Sequence, residues 1–174
     1  MIQYIFRNSW WAKRKRSKIT IRFTLFDLIL EISGLVAVLA MWIFLIATYS
    51  GLPDMIPTHY NGSGQVDNFG GKSSILMLPV IATAVYAGMT ILCRFPHVFN
   101  YPVIITENNA FFQYGNMVRM FRCLKLVLVL IFGYLIFHTA LNTGRGIGIW
   151  FTPVLLAVIF IPVIYFMAKS FMYR

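Results

Sequence analysis

The chain has 174 residues, 59% of them hydrophobic and 11% charged, and a formal net charge of +10. Soluble domains carry about a quarter charged residues, so this composition excludes an ordinary water-soluble domain and points to membrane spans. The basic surplus is not accompanied by a folded reader or a long basic arm, and no nucleic-acid partner is expected.

Residues 1–25 join the basic run "KRKRSK" to Trp10 and Trp11. Indoles beside lysines suit the half-wet headgroup layer. The segment is expected to rest on anionic lipid headgroups, at about 1 kcal/mol per basic residue near the surface. Four apolar stretches follow, at 28–50, 74–93, 126–141 and 147–168, and an amphipathic run at 117–125 extends the third. A bilayer core needs roughly 20 apolar residues in a helix, so these are read as four spans, at about 28–50, 74–93, 117–141 and 147–168. The first follows a long basic segment and reads as an uncleaved anchor.

Asp27 and Glu31 stand one helical turn apart where the first span begins. Acids inside spans are functional candidates by default. Two like charges at this spacing repel mildly, which calls for a basic partner among Arg94, Arg122 and Lys125. A structural ion pair is the preferred reading, ahead of a proton or cation path.

The first link between spans, 51–73, is polar and contains "LPDMIPTHYNGSGQVD". Pro53 and Pro57 stiffen the chain as it leaves the span. Gly62 and Gly64 allow positive φ. Gly70-Gly71 release the chain into span two, with Ser73 or Ser74 as its cap. His59, Asn61 and Asp67 can hydrogen-bond back to exposed backbone as a polar lid. A cation held by Asp54, His59 and Asp67, with Asn61 as a fourth donor, is the sharper alternative, although no established ligand spacing is present and no metal is assigned. A docking surface for a peptide or protein is the third.

"RFPHVFNYP" ends span two. The next segment reads either as a hairpin, "VIIT-ENNA-FFQY", or as a helix capped by Thr106 with Glu107 in its first turn. The helix is favoured, lying along the membrane surface and running into span three. His138, near the outer end of that span, is read as a satisfied interhelical donor or as a contact of the polar loop. Tyr86, Ser33 and Gly34, with the small residues of span two, mark close helix packing. "NTGRG" is a tight turn joining antiparallel spans three and four. Cys93 and Cys123 are expected to stay reduced. No catalytic constellation stands out, so the chain is read as a non-enzyme without a cofactor.

Of the 15 Lys and Arg residues, all but Lys72 and Arg145 fall on one side of this threading. The positive-inside rule then places both termini in the cytoplasm and the polar loop outside.

The ordered residues Leu52-Pro53, Ile56-Pro57, His59, Asn61, Gly64 and Asp67, followed by Pro79, carry a family resemblance. The loop resembles that of the domain of unknown function at the N-terminus of SdpI-type toxin-immunity proteins. "YPVIITENNAFFQY" is similar to the segment after that family's second helix. The resemblance covers roughly residues 28–125. It implies a bacterial cytoplasmic (inner) membrane protein with a partner- or ligand-binding loop at Pro53, Pro57, His59, Asn61, Gly64 and Asp67.

The expected fold is therefore all-α and integral to the membrane, four transmembrane helices with an ordered extracytoplasmic loop between helices one and two. Residues 1–25 form the interfacial segment and 26–174 a single domain. The expected role is non-catalytic, in immunity or signalling, with the loop binding a peptide or protein or bracing the bundle. The alternative is a small transporter or ion-handling subunit using His59, Asp67 and His138 from outside and Asp27 and Glu31 from inside.

Overall fold

The computed structural model describes residue 16, residues 18–142 and residues 144–174. Most of the basic cluster, and with it the expected headgroup contact, lies outside these residues. Among the described residues, four helical stretches are long and apolar enough to cross a membrane. They are α1 (Leu25–Tyr49), α2 (Met77–Leu92), which reaches spanning length together with the 3₁₀ turn Lys72–Leu76 before it, α3 (Ala110–Leu141) and α4 (Phe151–Met172).

Helix α1 starts at a capping box. Thr24 Oγ1 accepts from the Asp27 N–H at 3.3 Å, and Asp27 Oδ2 accepts from the Thr24 N–H at 2.9 Å. Two of the donors that a helix start leaves unpaired are satisfied this way. Neither Ser73 nor Ser74 caps α2. The short 3₁₀ turn Lys72–Leu76 leads into it, and the Ser74 hydroxyl donates back to the Gly71 carbonyl at 2.7 Å.

The all-α expectation omits one element. Between α1 and α2 the chain forms an antiparallel hairpin, β1 (Met55–Tyr60) and β2 (Val66–Gly71). Its signal is concealed because Pro57 sits inside β1, Gly70 and Gly71 end β2, and the register shifts on both sides of His59. Those features break the period-two pattern of a strand. A two-stranded sheet tolerates the proline because each strand has a free edge.

The hairpin is rooted in the bundle. Leu52, Ile56 and Ile75 are buried in one cluster with Met41 and Leu45 of α1, Ala82 of α2 and Ile136 of α3. Burying aliphatic side chains of this size stabilises by roughly 1.5–3 kcal/mol each. Lower in the bundle, Gly34 lets α1 and α2 approach closely: a Cβ there would stand 2.7 Å from Tyr86 Cε2. Trp42 Nε1 donates to Thr83 Oγ1 at 3.0 Å across the same contact.

Helix α3 is 32 residues long, about 48 Å at 1.5 Å per residue, against a hydrocarbon core of about 30 Å. The segment is helical as favoured, but the helix begins at Ala110 with Asn109 at its N-cap, so Thr106 does not cap it and Glu107 stands outside its first turn; Thr106 and Asn109 instead exchange bonds that close the turn before it. The expectation of a surface-lying helix is not met. Gln113, Tyr114, Asn116, Met117 and Val118 are buried, because this half of α3 packs against the end of α4 and the loop at 96–101. Gln113 Nε2 donates to the Ser170 and Tyr173 carbonyls, both at 3.0 Å, and Asn116 Nδ2 to the Phe166 carbonyl at 2.8 Å. The Ser170 and Tyr173 carbonyls, which the end of α4 leaves open, are capped in this way by its neighbour.

The link from α3 to α4 is longer than a tight "NTGRG" turn. It spans 142–150 and carries two left-handed glycines, Gly144 and Gly148, each with φ of 86°. Its middle does not start the next helix because it pairs with the hairpin tip.

Candidate functional site

Two polar assemblies stand at opposite ends of the bundle. At the hairpin end, Asn61 organises the tip. Its Oδ1 accepts from the Ser63 N–H at 3.1 Å, the Ser63 hydroxyl at 2.8 Å and the Gln65 N–H at 3.0 Å. Its backbone N–H donates to the Gln65 carbonyl and its carbonyl accepts from the Gly64 N–H. Gly64 takes φ of 76°, a left-handed conformation that favours glycine.

His59 and Asp67 meet across the hairpin, Nδ1 to Oδ1 at 2.5 Å, with side chains 66% and 42% exposed. The pair faces water and fixes one ring nitrogen of His59, leaving the other for a partner. Met55 and Phe69 are exposed on the same hairpin. Pro57 is buried at its root, while Pro53 lies at the surface. Asp54 does not join His59 and Asp67. It is exposed and pairs instead with Lys72 at 3.1 Å. Among the described residues, no group of three or more His, Cys, Asp and Glu side chains is placed to hold a metal ion.

His138 is not the satisfied donor expected. Its Nδ1 is buried without a hydrogen-bond partner among the described residues. The Tyr60 hydroxyl lies instead 3.2 Å from Thr139 Oγ1, and His138 serves as an aromatic contact for Tyr60 and Tyr134. Sequence reasoning singled out neither Tyr60 nor Thr139. Their apolar-polar mix on a strand and a span gave no distinctive spacing.

At the opposite end, Asp27 and Glu31 meet three basic residues of α3. Arg119 Nε donates to Asp27 Oδ1 at 3.3 Å, and Arg122 Nε donates to Glu31 Oε1 at 3.0 Å. Arg122 Nη1 is 2.8 Å from Asp27 Oδ1, close enough for an ion pair but out of line for a hydrogen bond. Lys125 Nζ donates to Glu31 Oε2 at 2.5 Å and to Thr90 Oγ1 at 2.7 Å, with the Tyr86 ring 4.5 Å away. The Tyr86 hydroxyl donates to the Glu31 carbonyl at 3.1 Å. Arg94 has no part in this network among the described residues. Arg119, which was not foreseen, takes its place because it lies one turn before Arg122 and Cys123 on the same helix.

The side chains of Asp27 and Lys125 are fully buried and that of Arg122 is 5% exposed. Buried charges of this kind persist only when paired. Both carboxylates are committed to cations, so the arrangement clamps α1 to α3 and leaves neither acid free. Cys93 and Cys123 are free thiols near the same end.

Residues 36–83, from mid-α1 through the hairpin into α2, match the model of a family described as "Domain of unknown function (DUF1648)". The chain is also 28% identical over 150 residues to an uncharacterized protein of Archaeoglobus fulgidus, an alignment covering 76% of this chain and 81% of that one. No solved structure matches. The chain is thus similar, across its hairpin, to a family of unknown function and, over most of its length, to an archaeal protein without an assigned role.

Proposed function

We propose that this multi-pass membrane protein is a non-catalytic docking protein, similar to SdpI-type immunity and signalling proteins, whose hairpin meets a peptide or protein outside the cytoplasmic membrane. The observation that carries this reading is the contrast within the hairpin. Its root is buried among three helices and its tip is hydrogen-bonded to the α3–α4 link, yet Met55, His59, Asp67 and Phe69 stay in water. A rigid scaffold presenting exposed apolar and polar groups is the arrangement of a recognition surface, since little entropy is lost when a partner binds.

The orientation is part of the proposal. Arg16, Lys18, Arg22, Arg94 and Lys169 accompany the charge cluster at one end, against Lys72 and Arg145 at the other. Cytoplasmic retention of positive segments puts the hairpin outside and both termini inside. In intact spheroplasts, a cysteine at Ser63, an exposed tip residue, is expected to react with an impermeant thiol reagent. Labelling confined to inverted vesicles would remove the outward surface. The role itself is tested by expressing the chain in cells sensitive to a panel of membrane-active peptide toxins. Protection that His59→Ala removes at unchanged protein level supports immunity; uniform sensitivity opposes it.

A further inference from the structure

The acidic residues of this chain are few enough to follow individually. There are five: Asp27, Glu31, Asp54, Asp67 and Glu107. Asp54 and Asp67 are engaged at the hairpin end with Lys72 and His59. Asp27 and Glu31 are engaged by Arg119, Arg122 and Lys125. Glu107 lies in the turn before α3 and is in no ion pair among the described residues.

Beside the charge cluster, a cleft of about 740 Å³ opens between the segment leading into α1, the end of α2 and α3. Lys18, Arg94 and Arg122 line it, with Thr90 and the single carboxylate Glu31. Lys18 and Arg94 are exposed and belong to no ion pair among the described residues. Arg16 stands next to the cleft, its Nη1 donating to the Phe99 carbonyl at 2.5 Å. Glu31 does not neutralise the mouth, because Arg122 Nε and Lys125 Nζ already occupy its two oxygens. Its apolar walls include Ile19, Phe23 and Phe95, with Thr20, Cys93 and His97 among the rest of the lining.

We infer that this cleft binds the phosphate headgroup of an anionic membrane lipid, with Lys18 and Arg94 contacting the phosphate and the apolar walls holding the glycerol and upper acyl chains. Among the described residues, no carboxylate is paired with Lys18 or Arg94, and the one acid lining the cleft, Glu31, is already engaged, which leaves these two cations open to an anion from outside the chain. A basic pocket between spans at the membrane surface suits a lipid headgroup. The apolar walls favour a lipid over free phosphate, which would gain nothing from them. The site is a cleft with named walls and is distinct from the diffuse attraction expected of the basic N-terminal run.

The test uses the full chain in neutral detergent, titrated calorimetrically with dioctanoyl phosphatidylglycerol, dioctanoyl phosphatidylcholine and glycerol 1-phosphate. The phosphatidylglycerol is expected to bind about tenfold tighter than either, on the scale of one charge-assisted hydrogen bond. Lys18→Gln/Arg94→Gln, both at exposed positions, is expected to weaken it about tenfold while leaving phosphatidylcholine binding unchanged. Equal binding of the two lipids, an unaffected double variant, or equal binding of glycerol 1-phosphate would each overturn the assignment. A second readout needs no variant. Cys93 lines the cleft and Cys123 does not, so the phosphatidylglycerol is expected to slow modification of Cys93 by a thiol reagent and not that of Cys123. Equal rates with and without lipid at Cys93 would also overturn it.

Discussion

The Ile147 N–H donates to the Gly64 carbonyl at 2.7 Å, joining the α3–α4 link to the tip of the hairpin. The approach is close enough that only glycine fits on both sides. A Cβ on Gly146 would overlap the Gly64 carbonyl oxygen, and one on Gly64 would run into the backbone of Gly148. Gly146→Ala is therefore expected to cost about 1–3 kcal/mol by forcing two backbones apart. Gly62→Ala, with open space around its Cβ, is expected to stay within about 0.5 kcal/mol of the parent. Thermal unfolding in detergent compares them, and equal midpoints would mean that the two segments are not joined.

The membrane helices were legible because length and hydropathy alone determine what crosses a bilayer. The pairing of Asp27 and Glu31 with Arg122 and Lys125 was legible for a related reason, since acids in a span demand a partner. The hairpin was not, because Pro57, Gly70 and Gly71 erase its alternation and its register is irregular. The depth of Gln113 and Asn116 was also hidden. Polar side chains near basic ones read as surface, and only the fold shows that Gln113 caps the open carbonyls of Ser170 and Tyr173 while Asn116 donates to that of Phe166 within α4. The contact of Tyr60 with Thr139 is 79 residues long-range and leaves no trace in local spacing.

His59 and Asp67 are exposed, and a surface pair contributes at most about 1 kcal/mol. His59→Ala and Asp67→Asn are thus expected to leave the unfolding midpoint close to that of the parent chain. If the hairpin is the docking surface, the same variants abolish capture of its partner in crosslinking from intact cells. A variant that lost binding only in proportion to lost stability would show the pair to be a brace.

Tyr101 gives an alkaline signature outside the spans. Its hydroxyl donates to the Pro96 carbonyl at 2.8 Å, and its ring lies 5.5 Å from that of Tyr114. Burial, and after it the neighbouring Tyr114, push the phenol well above its ordinary value, against the opposing effect of Arg16. The folded chain then keeps a proton that the unfolded chain releases. The resulting stability is complete below about pH 10 and is lost as pH rises towards the folded value. Between about pH 9 and about pH 11 the parent is expected to lose stability more steeply than Tyr101→Phe. Parallel pH profiles would show that the phenol is not held neutral by the fold.

Glu31 and Lys125 provide the sharpest test of whether the charge cluster is a clamp. Lys125 is fully buried, and its ammonium has Glu31, the Thr90 hydroxyl and the Tyr86 ring as its surroundings. Glu31→Gln removes the opposing charge but not the ammonium, which is expected to cost about 3–5 kcal/mol. Adding Lys125→Met removes the stranded charge, so the double variant is expected to be more stable than Glu31→Gln alone. Reversible unfolding in mixed micelles measures the coupling as a double-mutant cycle. Arg122 still pairs with Asp27 in both variants, which keeps α1 on α3 and makes the comparison fair. A carboxylate used for ion passage makes a different demand. It must be free to change its charge, so Glu31→Gln would silence flux in proteoliposomes at little cost in stability. A loss below about 1 kcal/mol would place Glu31 among weakly coupled surface charges and defeat the clamp.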